Sequence, residues 1–401
     1  MDLNQKSLEV ITLDNLREDV LQKVVDFLNG FLPNGSETLW SVEYFRWKLM
    51  RNPAGQGFLS CAIANGAVIG TASITLKRIF YKNRVLIAGG VGDLYVNPEF
   101  RWRCYKNLVK KQQNTVLSFD FTPTEQQIDY LNRSILGSLL YDTLDRALKR
   151  GIRIIYGFPN KYSRSGMEKR LNFKAHPMQE AHLHRPCFSI LGSYRNTTFL
   201  YNTFPIKQIA TMIAEVEWLF ESINFKYWND KRKKIGYAIE ETDDAADDFN
   251  QLWECLKFRT EFSLIRDQSY FRHRFFENPI AKYKVYKAAL RGSICGAIVT
   301  RLRLIPGRGK YCCVADWFFD ETKEYLFPIM LAHVIHEQYS QKVGMFTAWS
   351  GQGRNDRSYL HKFGFISTSK WPILFYNNES GGEIINSCLS LDLTLASSEN
   401  I

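Results

Sequence analysis

A 27-residue stretch of this chain matches a second stretch of the same chain, without a gap, at an offset of 226 positions. Tyr44-Phe45-Arg46 falls on Tyr270-Phe271-Arg272, and Asn52-Pro53 falls on Asn278-Pro279. Ala62, Gly66 and Gly70 fall on Ala288, Gly292 and Gly296. Glycine and proline fix backbone geometry, so their agreement in register constrains the fold more than matched apolar residues could. A unit this large is not a solenoid repeat; it implies two similar domains in tandem. The length of 401 residues fits two domains of roughly 200.

With 45% hydrophobic residues, 14% of the total aromatic, each half can bury a core without disulfides. Eight cysteines are scattered, with Cys312-Cys313 adjacent and no C-x-x-C pair. That pattern argues for a reducing compartment and against a zinc cluster. The polar N-terminus from Met1 to Ser7 does not read as a signal peptide, and no apolar run approaches a membrane span. The expectation is a cytoplasmic protein with no membrane span.

The formal charge of +11 implies an anionic partner. The densest basic run, Lys231-Arg232-Lys233-Lys234, lies between the repeats and reads as a solvated linker. No aromatic RNP-type or helix-turn-helix pattern accompanies it, so nucleic acid is not the expected partner. A phosphorylated cofactor or a nucleotide-linked substrate is.

Each copy reads as strand, helix, helix, hairpin, strand, helix, strand, helix, strand. Copy one opens with a strand at Glu9–Thr12 and a helix from Asp14 to Leu28; copy two opens with Gly236–Ile239 and a helix from Asp243 to Leu256. The hairpins are Phe58–Ala64 with Ala67–Thr75, and Lys284–Leu290 with Ser293–Arg301. The next strand carries an acid in both copies, Asp93 and Asp316. Leu136, Leu139, Leu140, Leu144 and Leu148 then mark an amphipathic helix, as do Phe327, Leu331, Val334 and Ile335. Residues 102–132 interrupt copy one just before this helix, a length that suggests an ordered segment able to cover a ligand. The domains expected are 1–200, a connecting helix and basic linker over 201–234, and 235–401.

This element order, with Val96-Asn97-Pro98-Glu99-Phe100-Arg101, Gly157-Phe158-Pro159-Asn160 and Leu171-Asn172-Phe173, resembles the GNAT superfamily of acyl-CoA-dependent N-acyltransferases. The resemblance covers nearly the whole chain, once per repeat. It is nearest to bacterial N-acyltransferases of nucleotide-linked amino sugars. It implies an α/β (α+β) fold: two tandem domains, each with a mixed, mostly antiparallel sheet flanked by helices. Acyl-CoA is the implied co-substrate, with no metal. In the family, a helix N-terminus holds the CoA pyrophosphate through backbone N–H groups and the helix dipole. The matching positions here are Arg133, Leu136, Gly137 and Ser138. Copy two has Asp320, Glu321, Lys323, Glu324 and Pro328 in that region and no glycine, so only copy one is expected to bind acyl-CoA.

Acyl transfer to an amine needs a neutral nucleophile, N–H donors for the oxyanion and departure of the thiolate. The resemblance gives the donors to the strand at Leu94, Tyr95 and Val96. Asp93, in the same strand, is the candidate general base. The family's usual tyrosine acid is replaced by Glu168, which leaves Tyr162 as the candidate acid, with Asn160 and Ser163 beside the cofactor. His182 and His184 share one face of a strand and are candidates for the acceptor site, as is Tyr359 from copy two. His333 and His336 share a helix side, but neither histidine pair shows further metal ligands. Two rivals stay open: a FemAB-like aminoacyl-tRNA-dependent transferase and a non-catalytic tandem binding protein. A homodimer is also left open.

Overall fold

A computed structural model describes residues 8–13, 18–32, 39–100, 134–160, 163–177, 180–186, 204–259, 261–305, 309–341, 343–351, 355–386 and 391–392. The insertion at 102–132, Arg133 and Tyr162 lie outside the described residues.

In copy one, β1 (Leu8–Leu13) and α1 (Glu18–Asn29) precede α2, whose first turn Val42–Phe45 is α-helical and whose continuation Arg46–Met50 is π-helical. The hairpin follows as β2 (Phe58–Ala64) and β3 (Ala67–Tyr81), then β4 (Arg84–Val96), α3 (Ile135–Lys149), β5 (Ile154–Gly157), α4 (Arg164–Arg170), β6 (Phe173–Ala175) and β7 (Glu180–Pro186). A 32-residue helix, α5 (Phe204–Ile235), joins the copies, and the basic run 231–234 is its last turn. Copy two repeats the plan: β8 (Tyr237–Thr242), α6 (Asp248–Leu256), β9 (Phe262–Leu264), α7 (Gln268–Phe271 with a π-helical turn at Arg272–Phe276), β10 (Lys284–Leu290), β11 (Ser293–Ile305) and β12 (Gly309–Phe319). It closes with α8 (Leu326–Ser340), β13 (Met345–Gly351), α9 (Asn355–Lys362), β14 (Ile366–Trp371), β15 (Leu374–Tyr376), α10 (Glu379–Asn386) and β16 (Leu391–Asp392).

The expected mixed, mostly antiparallel sheets are present. One sheet runs β1-β2-β3-β4-β5-β15-β6, with β9 against the far end of β3 and β16 against β9; the other runs β14-β7-β13-β12-β11-β10-β8. β4 and β5 pair in parallel, as do β12 and β13.

The repeat reaches down to the caps. Ser41 accepts from the Tyr44 amide, and its twin Asp267 accepts from the Tyr270 amide. The bulge between Ala62 and Ile63 recurs between Ala288 and Ala289. Both hairpins turn through two residues of positive φ, Asn65-Gly66 in copy one and Arg291-Gly292 in copy two, which is the geometry that matches strand twist. Gly70 and Gly296 have a different use: a Cβ there would sit 2.9 Å from Leu139 Cδ1 and 3.1 Å from Met330 Sδ, so the missing side chain lets α3 and α8 pack closely. One boundary differs from expectation. The copy-two helix starts at Asp248 rather than Asp243, because the Thr242 hydroxyl bonds the backbone of Asp244 and holds a turn there.

The halves exchange strands. β15, from the end of copy two, lies between β5 and β6 of copy one, pairing Leu374 with Gly157 and Ala175. β7, from copy one, lies between β13 and β14, pairing His184 with Thr347 and Ile366. Each sheet therefore needs a strand from the other half. Leu374 and Phe375 are fully buried, so the exchange is part of the core. Among the described residues no helix is long and apolar enough to cross a membrane.

Candidate active site

β4 and β5 pair from Ala88–Ile154 to Val91–Gly157, and no further pair forms among the described residues, although β4 continues to Val96. The two strands splay there. On the β3 side the register jumps from Thr71–Tyr95 to Ser73–Gly92, so Asp93 and Leu94 together oppose Ala72. This is a bulge, and Asp93 sits in it with φ +45°. Bulges re-aim the strand that bears them, and this one lies at the mouth of the splay.

Asp93 is 5% exposed. Its Oδ2 accepts from Lys48 Nζ and from the Ser73 hydroxyl, both at 2.7 Å, while its carbonyl accepts from Thr71 Oγ1 at 2.7 Å. A carboxylate so engaged fixes the bulge and does not stand open to an entering amine. Asp316 is held comparably: the Arg266 guanidinium donates to both of its oxygens, and the Tyr270 hydroxyl donates at 2.8 Å. That contact, with burial as the larger cause, pushes the Tyr270 hydroxyl well above its ordinary range.

The start of α3 faces the end of β4. Ile135 and Leu139 are buried with Val96, and Leu94 and Leu136 pack at the edge of the same cluster. Ser134 caps the helix, its hydroxyl accepting from the Gly137 amide at 3.2 Å. The amides of Ile135 and Leu136 belong to the first turn, whose N–H groups an α-helix cannot satisfy internally. Ser138 is buried in the second turn. The Tyr95 ring leaves the strand on the opposite side, stacking 5.8 Å from Phe31 and edge-on to Trp40; burial first, then the Asp93 charge, raises its hydroxyl pKa.

The equivalent corner of copy two is filled. Tyr325 stands before α8 at φ +54° without a side-chain cap, and Phe327 stacks on Phe319 at 4.8 Å. Lys231 Nζ lies 3.9 Å from the Tyr325 ring centre. Asp320 is bound by Arg259 and Thr322, which draws its pKa below the usual carboxylate value against the opposing effect of burial. Tyr359 belongs to this packing, with its ring 6.3 Å from Phe327.

Other expected site residues are spread more widely. Asn160 Oδ1 accepts from the Ser163 amide at 2.9 Å and shapes the entry to α4, beyond the end of β5. Glu168 pairs with Arg164 on the exposed side of α4. His184 lies within the second sheet, its Nδ1 3.2 Å from Met345 Sδ, and His182 stands opposite Trp349 in the same strand. Neither strand position adjoins the β4–β5 splay in register. His333 lies beside the Tyr286 ring and His336 stacks on Phe225 at 3.8 Å. Among the described residues no group of three or more potential ligands is placed to hold a metal.

A polar strip, only Asp93 of which is among the expected site residues, leads from the bulge to the seam between the halves. Thr71, Ser73, Thr75, Lys48 and Asp93 are all buried. Reading on at the same offset past Gly70 would have found it, because Thr71 and Ser73 fall on Ala297 and Val299. In copy two those two positions are apolar, with Ala297 and Val299 packed among Phe249, Phe271 and Phe275, while Thr75 and Lys48 fall on the buried arginines Arg301 and Arg274. At the seam the strip reaches a small cleft, open to solvent, whose walls include Trp47, Lys48, Thr75, Lys77, His273 and Arg274.

No family model and no curated protein matches this chain. Solved structures do. Saccharomyces cerevisiae N-myristoyltransferase with bound myristoyl-CoA aligns over 94% of this chain and 84% of its own, at 11% identity and TM-score 0.55. A GCN5-related N-acetyltransferase from Anabaena variabilis aligns over 92% and 72%, at 11% identity and TM-score 0.53. A GCN5-related glucosamine N-acetyltransferase region of a fungal multi-domain enzyme aligns over 93% of this chain and 38% of that one, at 9% identity and TM-score 0.54. What the chain shares with these proteins is the fold: two GCN5-related N-acetyltransferase-type sheets in tandem.

Proposed function

We propose that this chain is an N-acyltransferase that moves an acyl group from acyl-CoA to the primary amine of a nucleotide-linked amino sugar. One observation carries the reading: the capped helix start beside the splay in copy one contrasts with the aromatic-filled corner in copy two. The first has amides and a positive dipole end to offer a pyrophosphate; the second offers rings. Leu136, Gly137 and Ser138 are the proposed phosphate contacts, with Arg133 the proposed basic partner. The bound myristoyl-CoA of a protein with the same fold supports the donor class.

Of Leu94, Tyr95 and Val96, those whose backbone N–H groups turn away from β3 face the thioester carbonyl in this reading and stabilise its oxyanion. Asp93 serves as a positioning residue: with Lys48 and Ser73 it holds the bulge that aims those amides. The thiolate is a good leaving group with an ordinary pKa of roughly 8.5, so Tyr162, with Asn160 and Ser163, assists its departure without having to drive it. The acceptor enters along the seam in this reading, past Lys77, while Arg78 is held by Asp267. The glucosamine-acetylating region of the same fold supports an amino-sugar acceptor.

The test has two stages. Acetyl-CoA and longer acyl-CoAs are screened for thermal stabilisation, where a rise in Tm is expected and its absence throughout rejects the donor. Free-thiol release is then followed with nucleotide-linked amino sugars, free glucosamine and amino-terminal peptides. Turnover confined to peptides, or dependent on aminoacyl-tRNA, rejects the acceptor.

A further inference from the structure

The helix α5 turns an apolar stripe outward. Val216, Leu219, Phe220, Ile223 and Tyr227 recur at helical spacing, and each is between 51% and 66% exposed. The opposite face is occupied by the body of the protein. Glu217 accepts from the Tyr339 hydroxyl at 2.8 Å, Glu221 pairs with Arg185, Phe225 stacks on His336 and Trp228 on Phe363. The helix is thus held firmly by one side while five large apolar side chains face water on the other. Such a patch marks a contact surface.

We propose that this face of α5 docks on an anionic phospholipid surface. Two features of the helix select that occupant. Phe220 and Tyr227 give the stripe an aromatic content suited to the boundary between headgroups and acyl chains. The stripe also runs directly into Lys231-Arg232-Lys233-Lys234, with Lys226 at its edge, against Glu215 and Asp230 as the outward acids. A second copy of the chain would bring two bodies of charge +11 together, and a nucleic acid would leave the apolar stripe without a partner. An anionic bilayer satisfies both halves of the surface. No described helix can cross a membrane, so α5 lies on the surface rather than through it.

The test is co-sedimentation of the full-length protein with large unilamellar vesicles, of phosphatidylcholine alone and of phosphatidylcholine mixed with phosphatidylglycerol. Binding to the mixed vesicles only, weakened by salt, is expected. Lys233→Gln with Lys234→Gln should weaken it about thirtyfold, the factor corresponding to roughly 1 kcal/mol per lysine near the surface. Phe220→Ser with Ile223→Ser should weaken it about a hundredfold, because inserted apolar area is lost. Both pairs are solvent-facing, and an unchanged Tm verifies that the fold is intact. Absence of sedimentation, or binding indifferent to the Phe220/Ile223 pair, overturns the proposal. So does a dimer in sedimentation velocity that the same pair abolishes, since the stripe would then belong to a second copy.

Discussion

Trp47 and His273, twin positions of the two repeats, lie face to face with ring centres 4.6 Å apart and an interplanar angle of 12°. The Trp47 indole N–H donates to the His273 carbonyl at 2.9 Å, and His273 Nε2 lies 3.1 Å from the Trp47 carbonyl. The duplicated helices therefore meet at equivalent residues, as a two-fold relation requires. Close by, Arg78 of copy one donates to both oxygens of Asp267, the cap of α7. The seam is built from repeat elements, and it is also where the polar strip opens.

Trp47 is 3% exposed and spans that seam. Trp47→Ala should destabilise the chain by about 3–5 kcal/mol, read as a lower denaturant midpoint. Trp47→Phe keeps a ring against His273 and loses only the donor, for about 0.5–1.5 kcal/mol.

Asp93→Asn leaves the Lys48 ammonium buried without its counter-charge. A loss of about 3–5 kcal/mol is expected, and adding Lys48→Met should recover more than half of it, because the uncompensated charge goes. A double-mutant cycle in urea measures the coupling. Independent, additive effects would show that the pair does not act as a unit.

Leu136→Asp puts a carboxylate in the first turn of α3, where it suits the helix dipole and opposes a phosphate. Tm without ligand should fall slightly, because Leu136 packs at the edge of the Val96 cluster and the dipole offsets only part of that loss. Stabilisation by acetyl-CoA should fall at least tenfold in apparent affinity, about 1.4 kcal/mol. An undiminished shift would move the donor away from this helix.

Burial holds the His184 imidazole below its ordinary pKa. The folded chain then binds this proton less readily than the unfolded chain. The His184 contribution is fully present above about pH 6.5 and is lost as pH falls from there through the lower folded-state value. His333 shifts the same way, mainly by burial. Denaturant midpoints taken from about pH 8 down to about pH 5 should decline, and His184→Leu should flatten part of that slope. A slope unaltered by the substitution would assign it elsewhere.

β15 completes the first sheet from the far end of the chain. Leu374→Ala, at a fully buried position, should cost about 2–5 kcal/mol. A fragment ending at residue 203 should show no cooperative thermal transition, since β5 and β6 lose the strand between them. A stable, cooperatively unfolding fragment would show the exchange to be dispensable.

Much of this was legible in the chain itself. The offset of 226 located both hairpins and matched Gly70 with Gly296, because each is a local backbone demand tied to residue type, while the bulges and the caps at Ser41 and Asp267 emerged only in the folded chain. Alternation and helical spacing placed β2, β10, α3 and α8, because a buried face repeats with the period of its element. The contrast between the two helix starts was also visible, as a glycine and a serine against acids and Pro328. What sequence could not decide was partnership across distance. No local signal says that Leu374 inserts beside Gly157, that Asp93 and Lys48 neutralise each other, or that Trp47 meets its own counterpart. Those contacts are fixed by which surfaces the whole chain can bury at once, and only the folded molecule settles that competition.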